Sequence, residues 1–187
     1  MPLNNRTIIL GNHIWFAREG ATETIETVEH TVAVDYQPLT ASDLYEEMGA
    51  VETFGIANKI DSLILKAPPT GRGSYRRRKS IPLSQELTLK AKVQDANQLV
   101  FESIFLLAGA ITIGTAQQPL KQSKPITGWL KIEQRDQTDT LINTMFLWVE
   151  MMVTEAKSAE KEYAYDITWE VLDSALNSYE LEALAAN

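Results

Sequence analysis

The stretch from Leu83 to Val93 admits one local structure. Leu87, Leu89, Ala91 and Val93 alternate with Thr88, Lys90 and Lys92, a period of two that sends one set of side chains to a core and the other to water. A helix would scatter the same residues around its circumference. Just upstream, Gly71-Arg-Gly-Ser-Tyr-Arg-Arg-Arg-Lys79 links this strand to the apolar run Ser62-Leu-Ile-Leu-Lys66, and Pro68, Pro69 and two glycines keep the link irregular. A β-hairpin with a long basic tip is expected. Just downstream, Asp95 can accept a hydrogen bond from the first helical N–H groups, and Gln98 stands three residues on, as in a capping box. The helix then runs to about Ala108. Val100, Phe101, Ile104, Phe105, Leu107 and Ala108 form its apolar stripe, and Gly109 is placed to end it in the left-handed conformation.

The remaining segments read mainly as strands. Thr7 to Leu10, Ile14 to Ala17 and Glu26 to Tyr36 suit short strands or an extended arm. Asp43 to Gly49 has the start and stop of one or two helical turns. Ala110 to Gly114 can be a strand, and Pro119 to Pro125 a polar loop. Gly128 to Arg135 alternates with Leu130 and Ile132 inward, Asp136 to Asp139 makes a turn, Leu141 to Val153 returns, and Tyr163 to Leu172 alternates again. An antiparallel meander follows. Ser174 to Ala186 has the residues of a weak helix or an added tail. The fold class is mainly β with one packed α-helix, an antiparallel β-sandwich or barrel carrying a long basic hairpin loop. A single domain over residues 1–187 is expected, with 1–40 as N-terminal strands or arm and 173–187 as C-terminal helix or tail.

Composition narrows the chemistry. The absence of cysteine removes disulfides and thiolates, and the two histidines, His13 and His30, sit in unrelated surroundings. No spacing singles out an acid/base pair, and Gly71-Arg-Gly73 leads into a strand rather than the helix a phosphate loop requires. The expectation is a non-enzyme without cofactors or metal. No apolar run approaches the roughly 20 residues of a membrane helix, and Met1-Pro-Leu-Asn-Asn-Arg6 lacks a secretory pattern, so intracellular synthesis without a membrane partner is expected. A net charge of −8 argues against general nucleic-acid binding. Yet Arg72, Arg76, Arg77, Arg78 and Lys79 concentrate positive charge in one loop. A basic prong on an acidic body suits a chain that binds copies of itself.

In order, the acidic turn leading to Leu44-Tyr-Glu-Glu-Met-Gly-Ala-Val51, the basic stretch Gly71 to Lys79 and the strand Gln85-Glu-Leu-Thr-Leu-Lys-Ala-Lys-Val-Gln-Asp95 resemble the tail tube (major tail) proteins of long-tailed bacteriophages. That family sets a Leu-Gly-x-Val turn before a strand, an Arg-rich hairpin loop, a Glu-Leu-Thr-Leu strand and a helix across a β-sandwich. The match covers residues 44 to 109, and Gly128-Trp-Leu-Lys-Ile132, Phe146 to Glu150 and Tyr163 to Ile167 are similar to the family's last strands. The first 40 residues carry no part of it. The resemblance implies a virion protein assembled in the bacterial cytoplasm. It would be a subunit of hexameric rings stacked around a tape-measure protein, meeting tail terminator and baseplate proteins, with DNA passing through unheld. Tubes of contractile tails and type VI secretion share that fold.

Three surfaces would serve such a role. Arg72, Arg76, Arg77, Arg78 and Lys79 would reach Glu46, Glu47 and Glu52 of the next ring through guanidinium–carboxylate pairs. The strand Leu141 to Val153, apolar on both faces, would join neighbours round the ring through Leu141, Met145, Leu147, Val149 and Met151, although a buried central strand would look the same. Glu133, Asp166 and Glu170 would line the lumen and repel phosphate, with Lys90, Lys92 and Lys131 on comparable faces. The competing readings are a nucleic-acid-binding module using the Arg loop with Tyr75, and a ligand-binding or enzymatic β-sandwich with Trp15, Trp129, Trp148 and Trp169 on one face. Alternation instead groups Trp169 with the core residues Ile167 and Val171.

Overall fold

The computed structural model describes residues 9–67, 76–94, 98–107, 109, 111–112, 114–121, 125–136, 138–158 and 163–181. Strand β1 (Ile9–Arg18) is followed by a small hairpin of β2 (Thr22–Ile25) and β3 (Val28–Thr31), then by the two-residue β4 (Glu46–Glu47). Two long strands, β5 (Val51–Ala67) and β6 (Arg76–Val93), precede the helix α1 (Gln98–Phe105). The chain ends in β7 (Ile126–Asp136), β8 (Leu141–Ser158), β9 (Tyr163–Val171) and β10 (Ser178–Leu181).

Eight strands form one sheet in the order β4-β1-β7-β8-β9-β6-β5, with β10 adding to β8, and every pair is antiparallel. The expected meander is β7-β8-β9. Its first turn is set by Asp136, whose Oδ1 accepts from the backbone N–H of Thr138 and Thr140 at 2.7 and 3.0 Å. The predicted inward residues of β6 behave as alternation requires, since Leu89, Ala91 and Val93 are buried.

One face of the sheet curls around the main core. Ile14 and Phe16 of β1, Leu130 and Ile132 of β7, Met145, Leu147, Val149 and Met151 of β8, and Ile167 and Trp169 of β9 meet Leu99 and Val100 of α1 there. Helix α1 rests on β8, where the Ser103 hydroxyl accepts the Val153 N–H at 3.1 Å. Polar side chains close this face at one end. Gln134 donates to Asn12 at 2.8 Å, and Asn143 donates to Gln134 at 2.8 Å and to the Tyr179 hydroxyl at 3.2 Å, an amide ladder across four strands.

The opposite face is covered over β1, β7 and the start of β8 by the chain between β1 and β4. Val32, Leu44 and Tyr45 pack there on Ala17, Trp129, Phe146 and Trp148. The Trp129 indole N–H points at the Ala33 and Tyr36 carbonyls, 2.8 and 3.0 Å away.

Several local expectations change. Residues 43 to 49 form no helix; Glu46 and Glu47 pair with Phe16 and Trp15 on the edge of β1. The helix ends at Leu106 rather than Gly109. Leu106 has φ 51°, its N–H points to the Ser103 carbonyl at 3.3 Å, and the Leu107 N–H bonds Glu102 O at 3.0 Å. That is the Schellman pattern, with leucine where glycine is usual. Residues 111–112 and 114 are not strand, and Gly114 turns with φ 81°. The C-terminal segment gives β10 instead of a helix, paired from Ser178↔Phe146 to Leu181↔Asn143. Asp95, the expected cap, lies outside the described residues.

Candidate assembly surfaces

The hairpin of β5 and β6 is far longer than its apolar run suggested. Beyond Thr88, the last β6 residue paired with β9, the strand from Arg76 to Leu87 has β5 as its sole strand neighbour among the described residues. At about 3.3 Å per residue this is an arm of roughly 40 Å standing off the sheet. The basic residues Arg76, Arg77 and Lys79 are part of its strand, opposite Ala67, Lys66 and Leu65, rather than of a loop. The side chains of Arg76, Arg77, Arg78 and Lys79, and all of Arg72, lie outside the described residues.

The arm's exposed aliphatic residues carry the surface. Ile56 pairs with the core residue Leu89, so Ile56, Asn58 and Ile60 continue the core face outward with Leu87 and Gln85 opposite. Ile56 and Ile60 are 51% and 55% exposed. A bulge at Leu83 follows, and beyond it Leu63, Ile64, Leu65 and Ile81 also face solvent. Consecutive strand residues point to opposite faces, so Leu63 and Ile64 make both faces of the distal arm apolar. Charges gather on the other face of the proximal arm, where Lys59 pairs with Glu86 at 3.1 Å and Asp61 at 3.6 Å.

Of the carboxylates expected to receive the prong, Glu46 and Glu47 lie exposed at the sheet edge. Glu52 pairs with Lys92 of its own chain.

The strand expected to join neighbours is instead covered within the chain. Met145, Leu147, Val149 and Met151 are 4%, 9%, 0% and 1% exposed, and Leu141 is partly exposed. One edge of β8 pairs with β7 over 141–151, and the other with β10 over 143–146 and β9 over 149–158. Its two apolar faces reflect two cores, one on each side of the sheet. The four buried residues offer no surface to another subunit.

The three expected lumen residues do not form one acidic wall. Glu133 is buried under the covered part of the sheet, 2.9 Å from both Lys131 and Arg135. Burial opposes its ionisation, but the bonds from Lys131 and Arg135 outweigh that and hold its carboxyl below the usual range. The Lys131 ammonium lies 4.6 Å from the Trp15 ring centroid and donates to Thr40 O at 3.2 Å. Asp166 and Glu170 lie on the uncovered part of the same face, with Lys92 opposite Asp166 and Glu150 opposite Glu170. Lys90 and Lys92 share that face, so lysines and carboxylates the sequence set against each other are interleaved.

A second apolar surface lies at the helix. Phe101 and Phe105 stack at 6.5 Å on the outer side of α1, and with Leu107, Ile111, Thr115, Gln117 and Pro119 they line a groove of about 420 Å³. Its far wall is tied to the helix end, since the N–H groups of Leu120 and Lys121 bond the carbonyls of Phe105 and Leu106 at 2.9 and 2.8 Å. The expected apolar stripe of the helix is thus divided: Leu99 and Val100 are buried in the core, while Phe101 and Phe105 face the groove, and the breadth of the stripe is the sequence signal of a second face. The four tryptophans form no common exposed face, since Trp129, Trp148 and Trp169 are buried.

Among the described residues no group of three or more His, Cys, Asp or Glu side chains could hold a metal ion, and no helix is long and apolar enough to cross a membrane. No protein-family model matches the sequence, and no curated protein matches it. Among solved structures, the chain is similar to the tail of an empty gene transfer agent particle refined with six-fold symmetry, at 7% identity and TM-score 0.43, over 79% of this chain and 92% of that one. A native gene transfer agent virion follows at 7% identity and TM-score 0.40, over 74% and 89%. The six-fold symmetrised baseplate of an anti-feeding prophage matches at 8% identity and TM-score 0.39, over 95% and 97%.

Proposed function

We propose that this chain is a structural subunit of a phage-type tail, assembling with copies of itself into stacked rings that form the tail tube through which DNA passes. The observation that carries this reading is the arm of β5 and β6. A two-stranded ribbon alone is marginal in water, and one with aliphatic side chains exposed on both faces and open strand edges would aggregate unless it had a partner. Repetition of one subunit supplies that partner to every copy.

In this role the arm spans from one subunit to another, with Arg72, Arg76, Arg77, Arg78 and Lys79 adding charge at its far end toward the exposed Glu46 and Glu47. Glu52, the third of these carboxylates, pairs with Lys92 of its own chain. The uncovered polar face, with Asp166 and Glu170 among lysines, is the candidate bore. Interleaved signs would deny a phosphate backbone the continuous run of cations that tight binding needs. A tape-measure protein, a terminator and a baseplate are the partners such a tube would meet, and the virion tail its location. No step of this function requires a catalytic group or cofactor.

The test is sedimentation velocity on the purified chain across concentration, beside Ile56→Asp/Ile60→Asp. Both residues are already half exposed, so the double variant should keep its thermal midpoint while its large species collapse to monomer. Unchanged assembly in the variant would remove the arm's apolar face from the account.

A further inference from the structure

We propose that the core-side face of the arm, Ile56 and Ile60, docks into the Phe101–Phe105 groove of a second copy. This rests on the self-assembling reading above and names the surface that receives the arm. Within one chain the two features do not meet. Ile60 remains 55% exposed and Phe105 51% exposed, no arm residue is among those lining the groove, and α1 lies on β8.

Chemistry selects this face of the arm and this groove. In a chain that is 22% charged, the groove is lined by seven residues without an ionisable group among them. The arm face formed by Ile56, Asn58, Ile60, Gln85 and Leu87 also has none, while the reverse face carries Lys59, Asp61 and Glu86. Docking the reverse face would take a charged cluster, two carboxylates on the single Lys59 ammonium, out of water into a groove with no ionisable group to balance it, a strong penalty. Docking the aliphatic face sets isoleucines on phenylalanine rings and leaves Asn58 and Gln85 to meet the groove's polar Thr115 and Gln117.

The geometry of assembly agrees. This arm and this groove lie at different places on the chain, so their union is heterologous: every copy gives an arm and receives one. Such contacts propagate from copy to copy. The groove is also built before docking, because its far wall is already bonded to the last turn of the helix.

The chain has no cysteine, which allows a direct test. Ile60→Cys chains and Phe105→Cys chains are mixed, assembled, isolated by sedimentation and oxidised, with Ile56→Cys and Phe101→Cys as an independent pair. The expected result is a disulfide-linked dimer in a mixture of at least one pair, at least tenfold above either single variant alone, and its loss when Ile56→Asp is added to the Ile60→Cys chain. Assembled particles without cross-link in either mixture would overturn the groove as receptor while leaving self-assembly standing. A chain that sediments as monomer at every concentration would overturn both.

Discussion

At the scale of single residues, the tightest constraint is Gly128. It faces Arg18 across the β1–β7 pairing, and a Cβ there would lie 2.2 Å from the Ala17 carbonyl oxygen and 2.7 Å from Cζ of Phe16. Backbone cannot yield as a flexible side chain can, so β1 would have to separate from β7. Gly128→Ala is expected to cost about 3 kcal/mol, read from urea denaturation; a change within error would mean that β1 adjusts freely. Glu102 shows the same dependence in polar form. Its carboxylate, 2% exposed, takes the Arg18 guanidinium at 2.6 Å and the Ile111 N–H at 3.0 Å, joining β1, α1 and the following loop. The sequence showed Gly128 inside a strand but not the neighbour it admits, since that neighbour is more than a hundred residues earlier. It also hid Glu102, which reads as an ordinary polar position on an amphipathic helix.

At the scale of elements, the hairpin of β2 and β3 turns through Glu26 and Thr27 at φ 46° and 75°. Two-residue hairpin turns of this hand favour Asn-Gly, and a β-branched residue there is strained. Glu26→Asn/Thr27→Gly should therefore raise stability by about 1–2 kcal/mol, and no gain in urea titration would show the turn to be relaxed. The cover beside it hangs on Glu23. Its carboxylate accepts from the Tyr36 hydroxyl at 2.7 Å and the Leu39 N–H at 3.2 Å, and also from Ser42 Oγ. Burial opposes ionisation, but the bonds from Ser42, Tyr36 and Leu39 and the nearby His30 outweigh it and hold the carboxyl below its ordinary 4.5. Burial and this same bond push Tyr36 up to about 12.

The sign follows from linkage. A carboxyl whose folded value is depressed contributes stability above its unfolded value, and that contribution is lost as pH falls through the folded one. Hydrogen exchange over residues 33–42 should accelerate, relative to the rest of the sheet, as pH drops below about 4.5, and Glu23→Gln should flatten that local response. A cover that exchanges uniformly with the sheet at every pH would contradict the role of Glu23.

Elements were legible where polar and apolar residues alternate. The alternation in β6 and β9 announced strands, as did that in β7, where Lys131 and Glu133 keep the pattern although both faces are covered, and the apolar stripe announced α1. Where burial is two-sided, as in β8, the pattern is the same for a central strand as for an interface, and topology alone separates them. Where burial is absent, as in the arm, aliphatic residues at 56, 60, 63, 64 and 65 gave the composition of a core strand while the structure leaves them outside. The long hairpin was visible as an order of parts; its length came from pairing of Arg76 to Lys79 with Leu65 to Ala67, which a basic run does not advertise.

At the scale of the whole molecule, the covered and uncovered parts of the sheet divide its work. Two cores on opposite faces hold β1, β7, β8 and β9 together. Beyond them stand features with no apolar cover of their own, the arm and the helix groove. An acidic chain of net charge −8 that presents aliphatic surface on a projecting ribbon is arranged for protein partners rather than nucleic acid. The central claim is that those partners are copies of the same chain. Negative-stain electron microscopy of the purified protein, over a range of concentration and salt, tests it most directly. The account predicts rings or hollow tubes that lengthen with concentration; particles that remain single subunits under every condition would contradict it.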